Sequence, residues 1–335
     1  MTTVVASAPG KIVLSGEYAV LDGAPAIVMA ADRRARVTLA DDVGGISQVR
    51  APGYTNEVGR FEIADGDFRW LDGQGLFGIV DSVWRAANEI GSDEAGSGAR
   101  VIDLDTSDFI DPERHLKIGI GSSAALTVAL CAAITRSCDA GTIMAVAQRA
   151  HADLQGGAGS GVDIACSLSG GLIEYRMDGA GVAALDWPEK LLYRVIWTGV
   201  AASTRDKLRK LKSEISLPSR ERLVGASEGM ADAWKSGDAD RIVEDYRSYN
   251  DHLRQFSIDH GLGIFDAGHE ELWRAARDFP LVYKPCGAGG GDVGIVFGTD
   301  DAVLDSFTER HLNGHELLDC RLSPVGAMIE SADEN

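Results

Sequence analysis

The chain is short of positive charge. Its 335 residues hold 32 lysines and arginines against 51 aspartates and glutamates, a formal net charge of −19. A surface with that balance repels phosphate groups as a whole, which argues against nucleic acid and anionic membranes as partners. Cysteine is sparse as well. Cys131, Cys138, Cys166, Cys286 and Cys320 form an odd, scattered set with no Cys-x-x-Cys pair and no Cys/His cluster at zinc spacing. That excludes a disulfide framework and a structural zinc site, and reads as reduced thiols in a cytosol. No apolar stretch reaches about 18 residues without a charge, so no membrane span is expected. Lys11 and Glu17 interrupt the early apolar run, so no signal peptide is expected there. Repeats and low-complexity segments are lacking too.

What is present is a globular balance, 45% hydrophobic and 25% charged, at a length that suits two domains with a core each. Val4 to Ala8 and Ile12 to Leu14 predict an early strand interrupted at Pro9-Gly10, followed by strands at Ala26 to Ala31 and Arg36 to Leu39. Gly73 to Ile90 is helical in pattern, and Val101 to Asp105 is a short strand. Ser122 to Ser137 is apolar nearly all round, the mark of a buried helix rather than an amphipathic one. Thr142 to Leu154 is a second helix and Gly170 to Tyr175 a strand. Near Pro188 the style changes. A strand at Leu192 to Trp197 gives way to long polar helices at Ser219 to Trp234, Asp240 to His260 and Phe265 to Asp278, then to a strand pair at Leu281 to Lys284 and Val293 to Phe297. A boundary is therefore expected near 188, dividing the chain into residues 1–188 and 189–335.

Three segments carry chemistry. Lys117-Ile-Gly-Ile-Gly-Ser-Ser-Ala-Ala125 runs straight into the buried helix. Its glycines permit a tight turn and close ligand approach, and the helix start offers free N–H groups at the positive end of its dipole. Together these suit phosphate oxygens. The segment is neither a Walker A loop nor a Rossmann fingerprint. Ser7-Ala-Pro-Gly-Lys11 sets a lysine among apolar residues near an early turn. Lys284-Pro-Cys-Gly-Ala-Gly-Gly-Gly-Asp-Val-Gly294 has five glycines in eleven residues, too many for a packed strand, and successive amides there can form an anion nest. Taken singly, each has a plainer explanation: a structural cap, a solvated lysine, a flexible loop.

In this order and spacing the three together resemble the GHMP kinases. The resemblance covers most of the chain. It implies an α/β (α+β) two-domain fold, with an N-terminal domain like the ribosomal-protein-S5 domain and a ferredoxin-like C-terminal domain, and with ligands in the cleft between them. It implies an ATP-dependent phosphotransferase using Mg2+. ATP would be held by Gly119, Ile120, Gly121, Ser122, Ser123 and Ala124, with Ser123 also on the metal. The stretch Gly159-Ser-Gly-Val-Asp163 also resembles the family. Carried over, Asp163 is the base or an electrostatic positioner, with Lys11 as its catalytic partner and Ser160 and Gly161 lining the acceptor site. Mevalonate kinases carry a magnesium-binding glutamate upstream of that aspartate. Here the region reads His151-Ala-Asp-Leu-Gln-Gly156, leaving Asp153 as either a metal ligand or a structural residue.

Four local features resemble the phosphomevalonate kinase branch: Glu17-Tyr18, Lys117 two residues before Gly119, the Ala202-Ser-Thr-Arg205 segment, and Gly291-Asp292. They imply conversion of 5-phosphomevalonate to its diphosphate. The acceptor would be held by Glu17, Tyr18 and Lys117, by Ser203, Thr204 and Arg205, and by Gly287, Ala288 and Gly289. Mevalonate kinase, a sugar-phosphate kinase and a catalytically silent sensor of the same fold are the alternatives. A cytoplasmic monomer or homodimer is expected, with no nucleic acid or membrane partner. Trp70, Phe77 and Trp84 are aromatics in the right half of the chain for an adenine pocket, though core packing explains them as well.

Overall fold

A computed structural model describes residues 2–42, 44–64, 67–91, 98–155, 159–177, 181–211 and 218–334, with side chains outside the description at 151–155, 204–205 and 332–334. A long hairpin organises the first part. β1 (Thr2–Ser15) and β2 (Ala26–Asp42) pair antiparallel along nearly their whole length. The expected break at Pro9-Gly10 does not end the strand. The ladder shifts register there instead, with Pro9 opposite Arg34 and Gly10 opposite Ala31, so the extra residues fall on β2. A bulge suits a proline that has no N–H to donate. Gly10 is small because a Cβ would stand 2.5 Å from the Ile120 carbonyl oxygen. The two strands expected at Ala26 and Arg36 are one strand for the same reason.

The outer strands β3 (Ser47–Ala51), β4 (Thr55–Ala64) and β5 (Asp67–Asp72) precede helix α1 (Gln74–Glu89) and strand β6 (Ala99–Asp105). Then come α2 (Ser122–Thr135), α3 (Ala140–Gln155), α4 (Val162–Ser169), β7 (Leu172–Arg176) and β8 (Gly181–Leu185). Helix α2 is buried as its composition predicts, from Ala124 through Thr135 almost without interruption. It lies on β1 and β2 with α1, α3 and α4 around it.

A second sheet follows. β9 (Leu192–Trp197) leads to helices α5 (Thr204–Lys210), α6 (Pro218–Ser236), α7 (Ala239–His260) and α8 (His269–Ala276). The hairpin β10 (Leu281–Pro285) and β11 (Val293–Gly298) comes next, followed by α9 (Asp301–His311) and β12 (Glu316–Leu318). The order is β10-β11-β9-β12, all antiparallel. The helix expected from Phe265 starts only at His269, because Gly263, Ala267 and Gly268 hold positive φ and cannot continue a right-handed turn. Strand β13 (Met328–Glu334) returns to pair with β1, and the large sheet runs β13-β1-β2-β6-β3-β4-β5, with β7 also on β2. One apolar core joins the two sheets: Ile12, Leu14 and Tyr18 pack in it with Tyr246, Tyr249 and Phe256 of α7. Burial on both faces is why β1 reads as a continuous apolar run instead of an alternating one.

Candidate active site

The site forms where β1, two helix N-termini and the β10–β11 loop meet. Lys11 projects from β1, and its own N–H donates to the Ile120 carbonyl at 2.8 Å. Gly121 caps α2 at φ 88, and a Cβ on it would stand 2.9 Å from Lys11 Cγ. The glycine therefore clears the lysine stem as well as the space before the free amides of α2. Gly161 caps α4 at φ 77, which puts Asp163 in that helix's first turn. Asp163 Oδ1 lies 3.1 Å from Lys11 Nζ, and both side chains reach the cleft, at 35% and 13% exposure. Burial alone would lower the Lys11 pKa. The charge of Asp163 and its hydrogen bond, helped by Asp292 and Cys166, outweigh that and raise it, so the ammonium stays charged.

Three cavities adjoin along this line. The outer one, about 480 Å³, is walled by Tyr54, Leu76, Phe77, Phe109 and Lys117. The central one, about 210 Å³, lies before Gly119 and Gly121 and shares Ser122 and Ser123 with the outer cavity. The inner one, about 130 Å³, is lined by Tyr18, Val20, Leu21, Ser160, Gly161 and Leu208. Inner and central cavities share Lys11, Asp163, Gly287 and Ala288. Sequence motifs far apart are thus brought into one channel, with the lysine–aspartate pair at one join and the serines at the other.

Several expected residues stand elsewhere in it. Lys117 is not beside Tyr18 and Asp163. Its ammonium lies 5.4 Å from the Tyr54 ring centre, in the outer cavity. The Glu17 carboxylate is held in a buried ion pair with Lys284. Tyr18 donates to the Ala288 carbonyl at 2.8 Å, and burial followed by the Glu17 charge raises its pKa. The Ser160 carbonyl accepts from Tyr175 at 2.7 Å. Ser203 caps α5 by accepting from the Asp206 N–H. Gly289 packs against Ile264, where a Cβ would stand 2.5 Å away. Ile120 and Ala124 are buried. The side chains of Asp153, Thr204 and Arg205 lie outside the described residues. Of the adenine candidates, Phe77 borders the outer cavity, whereas Trp84 is in the core and Trp70 packs against it.

Asp292 takes a larger part in the site than its place in the sequence announces. It sits at φ 54 with its carboxylate over Gly119, where a Cβ would stand 2.1 Å from Asp292 Cγ. Its Oδ1 accepts from the Ala202 N–H at 3.0 Å. Burial raises its pKa against the opposing pull of that hydrogen bond, Lys11 and Lys207. His269 holds the turn from behind, with Nε2 2.9 Å from the Gly291 carbonyl and Nδ1 2.6 Å from the Tyr283 hydroxyl. Burial pushes its pKa down to about 4, so the ring is neutral and donates from Nε2. Ending a glycine-rich loop in aspartate was the available signal for Asp292. Nothing in the sequence pointed to His269 or Tyr283.

Among the described residues, no group of three or more His, Cys, Asp or Glu side chains could hold a metal. Ser122, Ser123, Asp163 and Asp292 nevertheless line one cavity with hard oxygen donors, the set a magnesium ion takes when nucleotide phosphates and water complete its shell. Among the described residues no helix is long and apolar enough to cross a membrane.

Residues 81–171 match the family model "GHMP kinases N terminal domain". The chain is 31% identical to a phosphomevalonate kinase from Streptomyces sp. (strain CL190), covering 92% of each chain. It is 30% identical to a mevalonate kinase from Thermococcus gammatolerans, over 86% of this chain and 87% of that one. The solved structure of Streptococcus pneumoniae phosphomevalonate kinase in complex with phosphomevalonate and AMPPNP superposes with a TM-score of 0.79 at 18% identity, covering 95% of this chain and 99% of that one. At that identity the likeness speaks for the fold.

Proposed function

The chain belongs to the GHMP kinase family of phosphotransferases, and we propose that it transfers the γ-phosphate of ATP to 5-phosphomevalonate in the cytoplasmic mevalonate route to isoprenoids. The observation that carries the kinase chemistry is the channel of three cavities with Lys11 and Asp163 at one join. The outer cavity takes the adenosine, between Tyr54, Leu76 and Phe109. The amides of Gly119 to Ala124 take the phosphate chain, and Lys117 at the outer rim adds a positive charge to it. The acceptor enters the inner cavity and turns its 5-phosphate toward Lys11 and Asp163. An oxygen of that phosphate attacks the γ-phosphorus, the bond to the β-phosphate oxygen breaks with its electron pair leaving on ADP, and Asp163 takes the proton when the attacking phosphate carries one. Lys11 offsets the charge on the transferred group and keeps Asp163 oriented. Magnesium, when bound, would neutralise phosphate charge, and Ser123 with Asp163 or Asp292 would hold it. The same reading divides the chain near residue 188, the part that follows closing the cleft before β13 returns to the first sheet.

The likeness to the Streptomyces enzyme, over 92% of both chains, supports the phosphorylated acceptor. Mevalonate is the second reading. One observation favours it: Lys11 is the one cation lining the inner cavity among the described residues. Lys207 and Arg205 on α5, beside the inner-cavity residue Leu208, are the proposed source of the missing charge, with Ser203 and Thr204 as hydroxyl donors. ADP release measured against mevalonate, 5-phosphomevalonate, diphosphomevalonate, homoserine and heptose phosphates tests the choice. The expected result is the highest kcat/KM with 5-phosphomevalonate. A clear preference for mevalonate overturns the acceptor and leaves the kinase chemistry standing.

A further inference from the structure

Glu17 and Lys284 form an ion pair sealed from water. Lys284 Nζ lies 2.5 Å from Glu17 Oε1, and the side chains are 0% and 1% exposed. The other Glu17 oxygen accepts from the Tyr249 hydroxyl at 2.6 Å, and that hydroxyl accepts from the Gly16 N–H at 2.8 Å. Both carboxylate oxygens are therefore engaged, and at 1% exposure Glu17 lies behind the wall of the inner cavity and not open to it. Folding alone does not call for such a pair. Desolvating two charges tends to cost more than their attraction returns, and an apolar pair of similar volume often folds as well or better.

What distinguishes the pair is direction. Lys284 donates to three acceptors: Glu17, the Val13 carbonyl at 3.3 Å and the Pro285 carbonyl at 2.6 Å. Val13 is two residues past Lys11 on β1. Pro285 is two residues before Gly287, where a Cβ would stand 3.8 Å from Lys11 Nζ. Next along the seam, Tyr18 bonds the Ala288 carbonyl. Apolar packing is non-directional and tolerates sliding, whereas hydrogen bonds to three set carbonyl and carboxylate oxygens do not.

We propose that the Glu17–Lys284 pair is a positioning device: it locks the β10–β11 loop against the strand that carries Lys11, and so sets the gap across which the phosphoryl group moves. With 1% and 0% of their side chains exposed, the two act through the loop and not by contact with the acceptor. The inference rests on the phosphotransfer reading for its kinetic part, while its structural part does not.

The test is a double-mutant cycle of Glu17→Gln, Lys284→Met and the two combined. It is read by thermal melting and by steady-state kinetics on whichever acceptor the wild type uses. Each single variant leaves a buried group unpaired and is expected to melt well below the wild type. The neutral double variant is expected to recover most of that loss, yet to keep kcat ten- to a hundredfold below wild type, the range that a displacement of about 1 Å can cost. Its KM for Mg·ATP should stay within about threefold, the outer cavity being remote from the pair. If kcat returns together with the melting temperature, the pair is only a stability element and the proposal is wrong. If the double variant melts no higher than the worse single, the pair is not coupled and the proposal is wrong. Should the double variant not fold, Lys284→Arg decides. It keeps the charge but cannot present the same three bonds, so a near-native melting temperature with lowered kcat is expected, and unchanged kcat overturns the idea. A wild type that turns over no acceptor removes the kinase reading, and the melting cycle then still reports whether the latch exists.

Discussion

Two lysine–carboxylate pairs stand close together at the seam between the sheets, and they differ in almost every physical respect. Lys11 and Asp163 meet at 3.1 Å with 13% and 35% of their side chains exposed. Glu17 and Lys284 meet at 2.5 Å with 1% and 0% exposed. In the first pair Asp163 keeps an edge toward a cavity on either side, so its oxygen can take a proton and Lys11 can reach a third group. In the second every strong donor and acceptor is already matched within the protein. The same two charge types thus support exchange when they face a cavity and support rigidity when they face a core. Chemistry needs the first condition, because a fully satisfied carboxylate has nothing left to accept.

Breaking the open pair has the largest expected effect. Asp163→Asn and Lys11→Met should each lower kcat by about 10²–10⁴, with melting temperatures lowered less than in the single variants of the closed pair, since this pair keeps contact with water. Kinetics and melting on the same preparations check this. Near-native turnover in Asp163→Asn would remove it from the proton transfer, and a large melting loss would erase the contrast with the closed pair.

The buried side of the comparison can be sharpened with His269, which is neutral and bonded like the closed pair. Its pKa is about 4 in the folded protein against the ordinary 6.5. Between those values the unfolded chain binds the extra proton, so stability rises with pH through this window and falls on acidification. Across this window the change is about 3 kcal/mol. Urea unfolding at a series of pH values should show a shallower acid loss in His269→Gln than in the wild type. Equal slopes would mean that the ring is not held neutral.

The smallest effect belongs to a third lysine. Lys117 stacks on Tyr54 in the outer cavity, whose lining among the described residues holds no carboxylate. Lys117→Met should raise the KM for Mg·ATP roughly ten- to a hundredfold, the worth of one charge-assisted hydrogen bond, with little change in the acceptor KM. The reverse pattern would return Lys117 to the acceptor.

Local sequence carried much of the fold. The glycine turn running into an apolar helix predicted α2, and the polar helical runs predicted α6 and α7 to within a few residues. The strands β3 to β5 were missed: their exposed faces leave a weak alternation, and they are recognisable mainly through what they pair with. Helix α5 and strand β13 were missed as well. In the site, the glycine turn before α2 was legible from the residues themselves, whereas Lys11 and Asp163 were picked out only through the resemblance to the GHMP kinases.

What the sequence by itself determined, then, is local: where the backbone turns, which helix is buried, which segments can cradle an anion, and the family those segments resemble. Which side chain faces which was decided only in three dimensions. Glu17 and Lys284 are separated by 267 positions, and no periodicity or spacing links them. Lys117 sits five and six residues before Ser122 and Ser123, yet it lies in the outer cavity and not beside Tyr18 and Asp163. Asp292 gains its place over Gly119 from a loop anchored by His269, another long-range contact. Backbone preference acts over a few residues and is written in the order of the chain. Charge pairing and exclusion of water act across space, so their outcome waits on the packing of the two sheets.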